Sequence, residues 1–241
     1  MRIDKMLANL GYGSRKEVKM LLKSKAVKVN NEIIKDAKEQ VDPNRDVVTL
    51  YGDVVEYKEF IYLMMNKPPG VISATEDTRE ETVIDLLQIE DAVFNPFPVG
   101  RLDKDTEGLL IITNDGKLSH RLLSPKKHVP KTYFAVINGK VTEEDIEAFQ
   151  NGVVLDDGYE TKPGELKILK AGETSDIELT ISEGKFHQVK RMFESVGKKV
   201  LYLKRISMGP LMLDETLELG EYRELTEEEI LLLQNYEVKE G

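Results

Sequence analysis

The sequence predicts an α+β protein: a small N-terminal module, followed by a larger domain whose mixed, largely antiparallel sheet is flanked by helices. Three observations predict it. The apolar residues switch between a period near 3.6 and a period of 2, with strands and helices interspersed and no regular βαβ alternation. The charge is divided unevenly, with eleven Lys/Arg against seven Asp/Glu over residues 1–50 and two against ten over residues 211–241, within a net charge of −10. A charged stretch, Glu56 to Glu59, separates the two compositions and reads as a linker, which gives domains of 1–58 and 59–241.

Composition also removes whole classes of chemistry. The chain has no cysteine, so disulfides, thiolate catalysis and cysteine-based metal sites are excluded. His120, His128 and His187 show no ligand spacing, and no metal or cofactor is expected. No apolar run approaches ~18 residues and the N-terminus lacks an apolar core of the signal-peptide kind, so a cytoplasmic protein with no membrane contact is expected. No Walker A loop, dinucleotide fingerprint, nucleophile elbow or kinase signature is present. A basic module on an acidic body fits a chain with one end turned toward nucleic acid.

Taken in order, Ile3, Met6, Leu7 and Leu10 form one apolar stripe of a short helix, ended by Gly11-Tyr12-Gly13. Ser14 and Glu17 make a capping box for a second helix whose apolar face is Val18, Leu21 and Leu22. That helix carries Arg15, Lys16, Lys19 and Lys23. Alternation in Ala26 to Val29, the turn residues Asn30-Asn31 and the return in Glu32 to Ile34 predict a hairpin, with a further strand at Val47 to Gly52.

In the larger domain, strands are predicted at Phe60 to Asn66 and Val71 to Thr75, separated by Lys67-Pro68-Pro69-Gly70, where two prolines lack ladder donors. A short helix is expected over Thr82 to Leu87, and an irregular, proline-stiffened approach over Asn95 to Val99. Helices follow at Lys117 to Leu123 and from Thr142 through Phe149, where Gly152 ends the run. A glycine turn in Ser182 to Lys185 leads into another, with Val189, Met192, Phe193 and Val196 inward. Strands are expected at Lys131 to Ile137, Glu165 to Leu169, Asp176 to Ile181 and Val200 to Ile206. Tyr222 to Ile230 reads as a strand end, a capping box and a terminal helix.

The chemistry concentrates in Gly100-Arg101-Leu102-Asp103-Lys104-Asp105-Thr106-Glu107-Gly108, which runs into the apolar strand Leu109 to Thr113. A carboxylate at the mouth of a buried strand must be paired or solvated. Asp103 suits a nucleophile or general base, Arg101 a phosphate anchor, and Lys190 or Arg191 the counter-ion. Tyr133 offers a stacking face, which an enzyme acting on an extruded base requires. Asp103 and Asp105 do not divide into the acid and base of a hydrolase, and Asp105 is expected to be a solvent-facing or cap residue.

Two resemblances are carried by these motifs. Arg2 to Leu7, Gly13 to Glu17 and Val27 to Asn30 resemble the S4 RNA-binding module, which implies that Ser14, Arg15, Lys16, Lys19, Lys23, Lys28 and Asn30 face the RNA backbone. Asn66 to Gly70, Gly100 to Asp103 with Thr106 and Gly108-Leu109-Leu110, Lys131-Thr132-Tyr133, and Glu183 to Met192 resemble, in order and separation, the RNA pseudouridine synthases of the RsuA/RluB/RluE/RluF group. That resemblance covers nearly the whole chain and implies a pseudouridine-synthase-type catalytic domain behind an S4-like RNA-binding domain. It implies isomerisation of a uridine in RNA with neither cofactor nor metal.

The implied catalytic residues are Asp103, Tyr133 and Lys190. Asp103 would act at ribose C1′, at uracil C6 or through a glycal; Tyr133 would stack on the flipped base, and Lys190 would be the cation beside Asp103. The implied substrate-binding residues are Arg101, Thr106, His187, Gln188 and Arg191. His187 to Phe193 and the ending Gly220 to Glu229 lean toward the small-subunit branch of the group, implying 16S ribosomal RNA or a small-subunit assembly intermediate as partner of a monomer. A 23S substrate and a non-catalytic S4-type ribosome-assembly protein are the alternatives. For an acidic chain to hold RNA, Arg101, Lys104, Lys126, Lys127, Lys131, Lys185, Lys190 and Arg191 are expected to form a local basic strip.

Overall fold

A computed structural model describes residues 1–237 of the chain. The chain divides into two compact units, Met1–Ile61 with Leu87–Pro96, and Tyr62–Leu86 with Phe97–Gly241.

The first unit holds α1 (Ile3–Asn9), α2 (Arg15–Lys23), β1 (Val27–Val29), β2 (Glu32–Ile33), β3 (Val48–Leu50), β4 (Asp53–Val54) and the single-turn α3 (Ile89–Ala92). Its four strands are antiparallel in the order β2-β1-β3-β4. Ile3, Met6 and Leu7 of α1 pack with Val18 and Leu22 of α2 and with Val27, Val29, Val48 and Leu50 of the sheet. The capping box forms as its spacing dictates, with Ser14 Oγ accepting from the Glu17 amide and the Glu17 carboxylate accepting from the Ser14 amide at 2.7 Å. Such a cap stabilises a helix start by about 1 kcal/mol.

The second unit is built on nine strands. In chain order its elements are β5 (Tyr62–Lys67), β6 (Phe97–Pro98), β7 (Glu107–Thr113), α4 (Gly116–Leu123), β8 (Lys131–Asn138), α5 (Glu143–Asn151), β9 (Glu165–Lys170), β10 (Thr174–Ile181), α6 (Gln188–Ser195), β11 (Lys199–Met208), β12 (Leu211–Met212), β13 (Tyr222–Glu224) and α7 (Glu227–Asn235). The sheet runs β13-β5-β7-β11-β8-β10-β9, with β6 added to β7 and β12 to β11. Every pairing is antiparallel except β7 with β11.

Residues 108–113 of β7 are all buried, as a strand covered on both faces requires. Leu109 and Ile111 pack with Met64, Leu118 and Leu122 of α4 and Leu233 of α7. Burying side chains of this size contributes roughly 1.5–3 kcal/mol each. By the alternation of a strand, Leu110 and Ile112 lie on the opposite face. Phe149 of α5 and Phe193 of α6 meet edge to face, with centroids 5.0 Å apart.

Two expected elements are absent, for local reasons. Val71 to Thr75 forms no strand beyond a single bridge from Ile72 to Thr82, because Ser73 turns its hydroxyl to the Leu102 backbone, accepting from its amide and donating to its carbonyl at 3.0 Å. Thr82 to Leu87 is a turn instead of a helix. The Asp85 carboxylate accepts from the Thr82 amide at 2.8 Å and hydroxyl at 2.9 Å, closing a cap that no helix continues. The approach at Asn95 to Val99, expected to be irregular, includes β6, which pairs Phe97 with Thr113 and Pro98 with Ile112.

Candidate active site

Backbone register brings the site together. Gly108 of β7 lies opposite Arg205 of β11, and Arg205 lies opposite Tyr133 of β8, so one row across three strands joins the mouth of β7 to Tyr133. At about 4.8 Å per strand, Tyr133 stands about 10 Å across the sheet from Gly108. Gly108 has φ 102, and a Cβ there would fall 2.2 Å from the Arg205 carbonyl oxygen, so only glycine allows this approach.

The loop before β7 is pinned from both sides. The Thr106 amide donates to the Asp103 carbonyl at 3.0 Å, closing a turn over Asp103 to Thr106. The fully buried Lys67 ammonium donates to the carbonyls of Pro68 at 2.9 Å, Thr106 at 3.0 Å and Lys104 at 3.4 Å, and the Gly70 amide reaches the Lys104 carbonyl at 2.7 Å. Burial pulls the Lys67 ammonium down to about 8, against the pull of Asp105, Asp103 and Glu107. The Lys67-Pro68-Pro69-Gly70 stretch therefore fixes the carboxylate loop as well as ending a strand.

Asp103 is partly buried, with its side chain 24% exposed. Its Oδ2 lies 3.1 Å from Lys190 Nζ, and its Oδ1 lies 3.6 Å from His187 Nε2. Lys190 is also bonded to Asp105 Oδ1 at 2.6 Å. Burial opposes the Lys190 charge, but the hydrogen bonds and charges of Asp105 and Asp103 more than offset it and raise the ammonium above its ordinary value. The Lys190 bond in turn holds the Asp105 carboxyl below its ordinary value. Asp105 is solvent-facing, as expected, and its bond to Lys190 also makes it a member of the cluster.

Arg191 does not share this role. It pairs with Asp156 at 2.5 Å and Asp157 at 2.7 Å, and its Nη1 donates to the Phe186 carbonyl at 3.3 Å. Neighbours on a helix point about 100° apart, which separates the two cations.

His187 caps α6 in the left-handed region (φ 49), and its ring stacks on the exposed ring of Phe186 with centroids 3.8 Å apart. Gln188 is buried and braces the preceding turn. Its Nε2 donates to Glu183 at 2.7 Å, and its Oε1 accepts from the Lys185 amide at 2.8 Å. Thr106 is buried, and its hydroxyl has no hydrogen-bond partner among the described residues. These residues, with Arg101, Tyr133 and Leu203, line one cavity of about 60 Å³ that opens over Asp103.

The structure therefore brings Asp103, Lys190, His187, Gln188, Thr106, Tyr133 and Arg101 together and leaves the Arg191 guanidinium with Asp156 and Asp157. Of the eight basic residues expected in one strip, Arg101, Lys131 and Lys185 share a second cavity, while Lys104 pairs with Glu80 and Lys190 and Arg191 have carboxylate partners. Lys67, Arg205, Glu183 and Tyr159 were not singled out as site residues. The first two lie in stretches that resembled strand ends, and only the register reveals them.

In the first unit, Arg15, Lys16, Lys19, Lys23 and Lys28 are exposed. Ser14 holds the α2 cap. Asn30 sits in the left-handed region, donating to Asp46 at 2.9 Å and accepting from the Val47 amide at 3.0 Å. Both side chains have structural partners. Among the described residues, no group of three His, Asp or Glu side chains could hold a metal ion, and no helix is long and apolar enough to cross a membrane.

Residues 61–195 match the family described as RNA pseudouridylate synthase, and residues 1–47 match the S4 domain. The chain belongs to the RNA pseudouridylate synthase family: it is an RNA pseudouridine synthase, an isomerase, with an S4 domain at its N-terminus. It is 60% identical to the uncharacterized RNA pseudouridine synthase YtzG of Bacillus subtilis (strain 168), over 97% of this chain and 98% of that one. It is 38% identical to the ribosomal small subunit pseudouridine synthase A of Escherichia coli (strain K12), over 95% and 98% of the two chains. A crystal structure of a pseudouridylate synthase aligns with a TM-score of 0.68 at 37% identity, over 97% of this chain and 99% of that one.

Proposed function

We propose that the protein converts one uridine of 16S ribosomal RNA to pseudouridine, with Asp103 as the nucleophile. The observation that carries the reading is the Asp103 carboxylate at the mouth of β7, 3.1 Å from the Lys190 ammonium and lining one cavity with Tyr133. A carboxylate so placed is held ready by a cation and still open to a substrate. The likeness to ribosomal small subunit pseudouridine synthases A, at 38–39% identity over 95% of the chain, supports the 16S substrate.

The reaction is an isomerisation. The N1–C1′ bond of the flipped uridine breaks with the help of Asp103, the uracil turns in the cavity, and C5 bonds to C1′. The proton leaves C5 and N1 gains one, so atoms and charge balance without a co-reactant. Tyr133 supplies a stacking face that replaces the base's lost neighbours. Arg101, exposed at the rim, holds the strand from which the base came, and the basic face of α2 adds salt-dependent contacts to phosphates. The protein works as a monomer in the cytoplasm.

Asp103→Asn tests the reading. The variant should bind 16S ribosomal RNA as the unsubstituted chain does and form no pseudouridine, read by mapping the modified RNA. A fully active variant would overturn the role of Asp103, and modification of 23S but not 16S RNA would overturn the substrate.

A further inference from the structure

A second cavity, of about 260 Å³, lies beside the first and shares Arg101, Tyr133, Gly184 and Lys185 with it. Its lining has a different character. Lys131, Lys162 and Arg205 join Arg101 and Lys185, so five cations surround it, and Glu183 is the one carboxylate in its wall. Glu183 is already engaged, accepting from the Tyr159 hydroxyl at 2.7 Å, Gln188 Nε2 at 2.7 Å and the Lys162 amide at 2.9 Å.

None of the five cations has a carboxylate within ion-pair distance among the described residues. This occurs in a chain with 44 acidic against 34 basic residues, where acidic partners are plentiful. Arg205 is 2% exposed; its Nε donates to the Leu109 carbonyl at 2.8 Å, and its Nη2 is buried without a partner. Lys131 Nζ donates to the Val129 carbonyl at 2.8 Å, Lys162 Nζ meets His128 Nδ1 at 2.8 Å, and Lys185 Nζ stands 4.4 Å from the centre of the Tyr159 ring. Burial, reinforced by the charge of Arg205, pulls the Lys131 ammonium down to about 8. Arg205 is buried and Lys131 and Lys162 are partly buried, while Arg101 and Lys185 are exposed at the edge; a buried cation without a counter-ion is costly, and a bound anion offsets that cost.

We propose that this cavity is a phosphate subsite that takes a phosphodiester group of the RNA strand next to the uridine in the Asp103 cavity. The proposal rests on the pseudouridine synthase reading of that neighbouring site. The shared wall of Arg101 and Tyr133 places the anion within a nucleotide of the reacting base. A phosphodiester sets its two charged oxygens tetrahedrally about phosphorus, so donors converging from several walls can reach it, and arginine and lysine both serve as its partners. Holding it fixes the strand while the base turns.

The test uses the full chain and inorganic phosphate as probe, with Lys162→Gln and Lys131→Gln as variants. Lys162 is partly exposed and bonds outward to His128, so its variant should keep the fold, which a thermal melt verifies. Phosphate should bind the unsubstituted chain saturably and at least fivefold more weakly to each variant. It should also compete with 16S ribosomal RNA in the modification assay, and the variants should raise KM for that RNA by more than they lower kcat. Equal phosphate binding by all three proteins, or inhibition that is not competitive with RNA, would overturn the subsite. Phosphate binding is read without RNA. If no pseudouridine forms in any ribosomal RNA while phosphate binding still tracks the variants, the functional reading fails and the anion site stands.

Discussion

Lys190 Nζ lies 3.1 Å from Asp103 Oδ2, and the same ammonium is held closer still, at 2.6 Å, by Asp105. One cation thus serves two carboxylates of different exposure, the side chains being 24% and 72% accessible. The exposed pair is screened by water and worth little by itself. The partly buried pair sets the charge at the proposed reacting centre. Lys190→Met should therefore lower kcat by roughly 10²–10³, the cost of losing one preorganised charge, whereas Asp105→Asn should leave the rate within about threefold. Single-turnover kinetics on 16S ribosomal RNA would measure both.

The pH dependence of that cluster follows from its shifts. Lys190 is raised above 10.5, so its contribution to stability is complete below that value and is lost as pH climbs through the higher folded value. Asp105 is lowered below 3.8, so its contribution is present above that value and is lost as pH falls through the lower folded one. The difference in melting temperature between the unsubstituted chain and Lys190→Met should be flat from about pH 5 to pH 9. A difference that varies steeply within that window would contradict the assignment.

Lys67 behaves in the opposite sense. Its folded value is about 8 against 10.5 in the unfolded chain, so between those values the unfolded chain binds the extra proton and stability rises with pH. The ammonium nevertheless serves the carbonyls of Pro68, Lys104 and Thr106. Lys67→Met strands these acceptors and should destabilise the chain by about 1–3 kcal/mol, while removing the alkaline rise. Denaturant midpoints at about pH 7.5 and 10 would test both effects.

Gly108→Ala places a methyl group 2.2 Å from the Arg205 carbonyl oxygen at a φ of 102. The β7–β11 pairing must then open or shift. A loss of about 3–5 kcal/mol is expected, at the high end for single substitutions, with activity falling together with the fold. Thermal melting and the far-ultraviolet spectrum would show it.

The basic face of α2 makes a prediction of another kind. Replacing Lys16, Lys19 and Lys23 by Gln removes three exposed charges that contact phosphates in the proposed complex. The slope of log affinity against log salt should become shallower by about two to three. Unchanged slopes would mean that this helix does not face the RNA.

Much of this architecture was legible in the residues. The capping boxes at Ser14 and Thr226, the helix start at Thr142 and the buried run of β7 follow from local rules, and all are found. The two failures share a cause. Ser73 and Asp85 bonded to backbone groups that a ladder or a helix would have used, and a short polar side chain gives no sign in sequence of which partner it will take. The site was legible in part. Asp103 and Lys190 stood out as chemistry, but their pairing, and the diversion of Arg191 to Asp156 and Asp157, depend on the direction of helix α6. Lys67 and Arg205 were hidden because burying a cation is a property of the assembled sheet.

The parallel pairing of β7 with β11, which sets Gly108 against Arg205, has a consequence in time. Its partners lie almost a hundred residues apart, as the 96-residue separation of Arg205 and Leu109 shows. During synthesis the carboxylate loop leaves the ribosome long before Lys190 and β11 do, and at roughly 5–20 residues per second the delay lasts several seconds. A nascent or truncated chain ending before Lys199 has every residue of the Asp103 loop and β5 beside β7, but it lacks Arg205 and the β11 strand that joins β7 to Tyr133 of β8. Under the proposed function such a chain should therefore be inactive until β11 has been made and paired with β7.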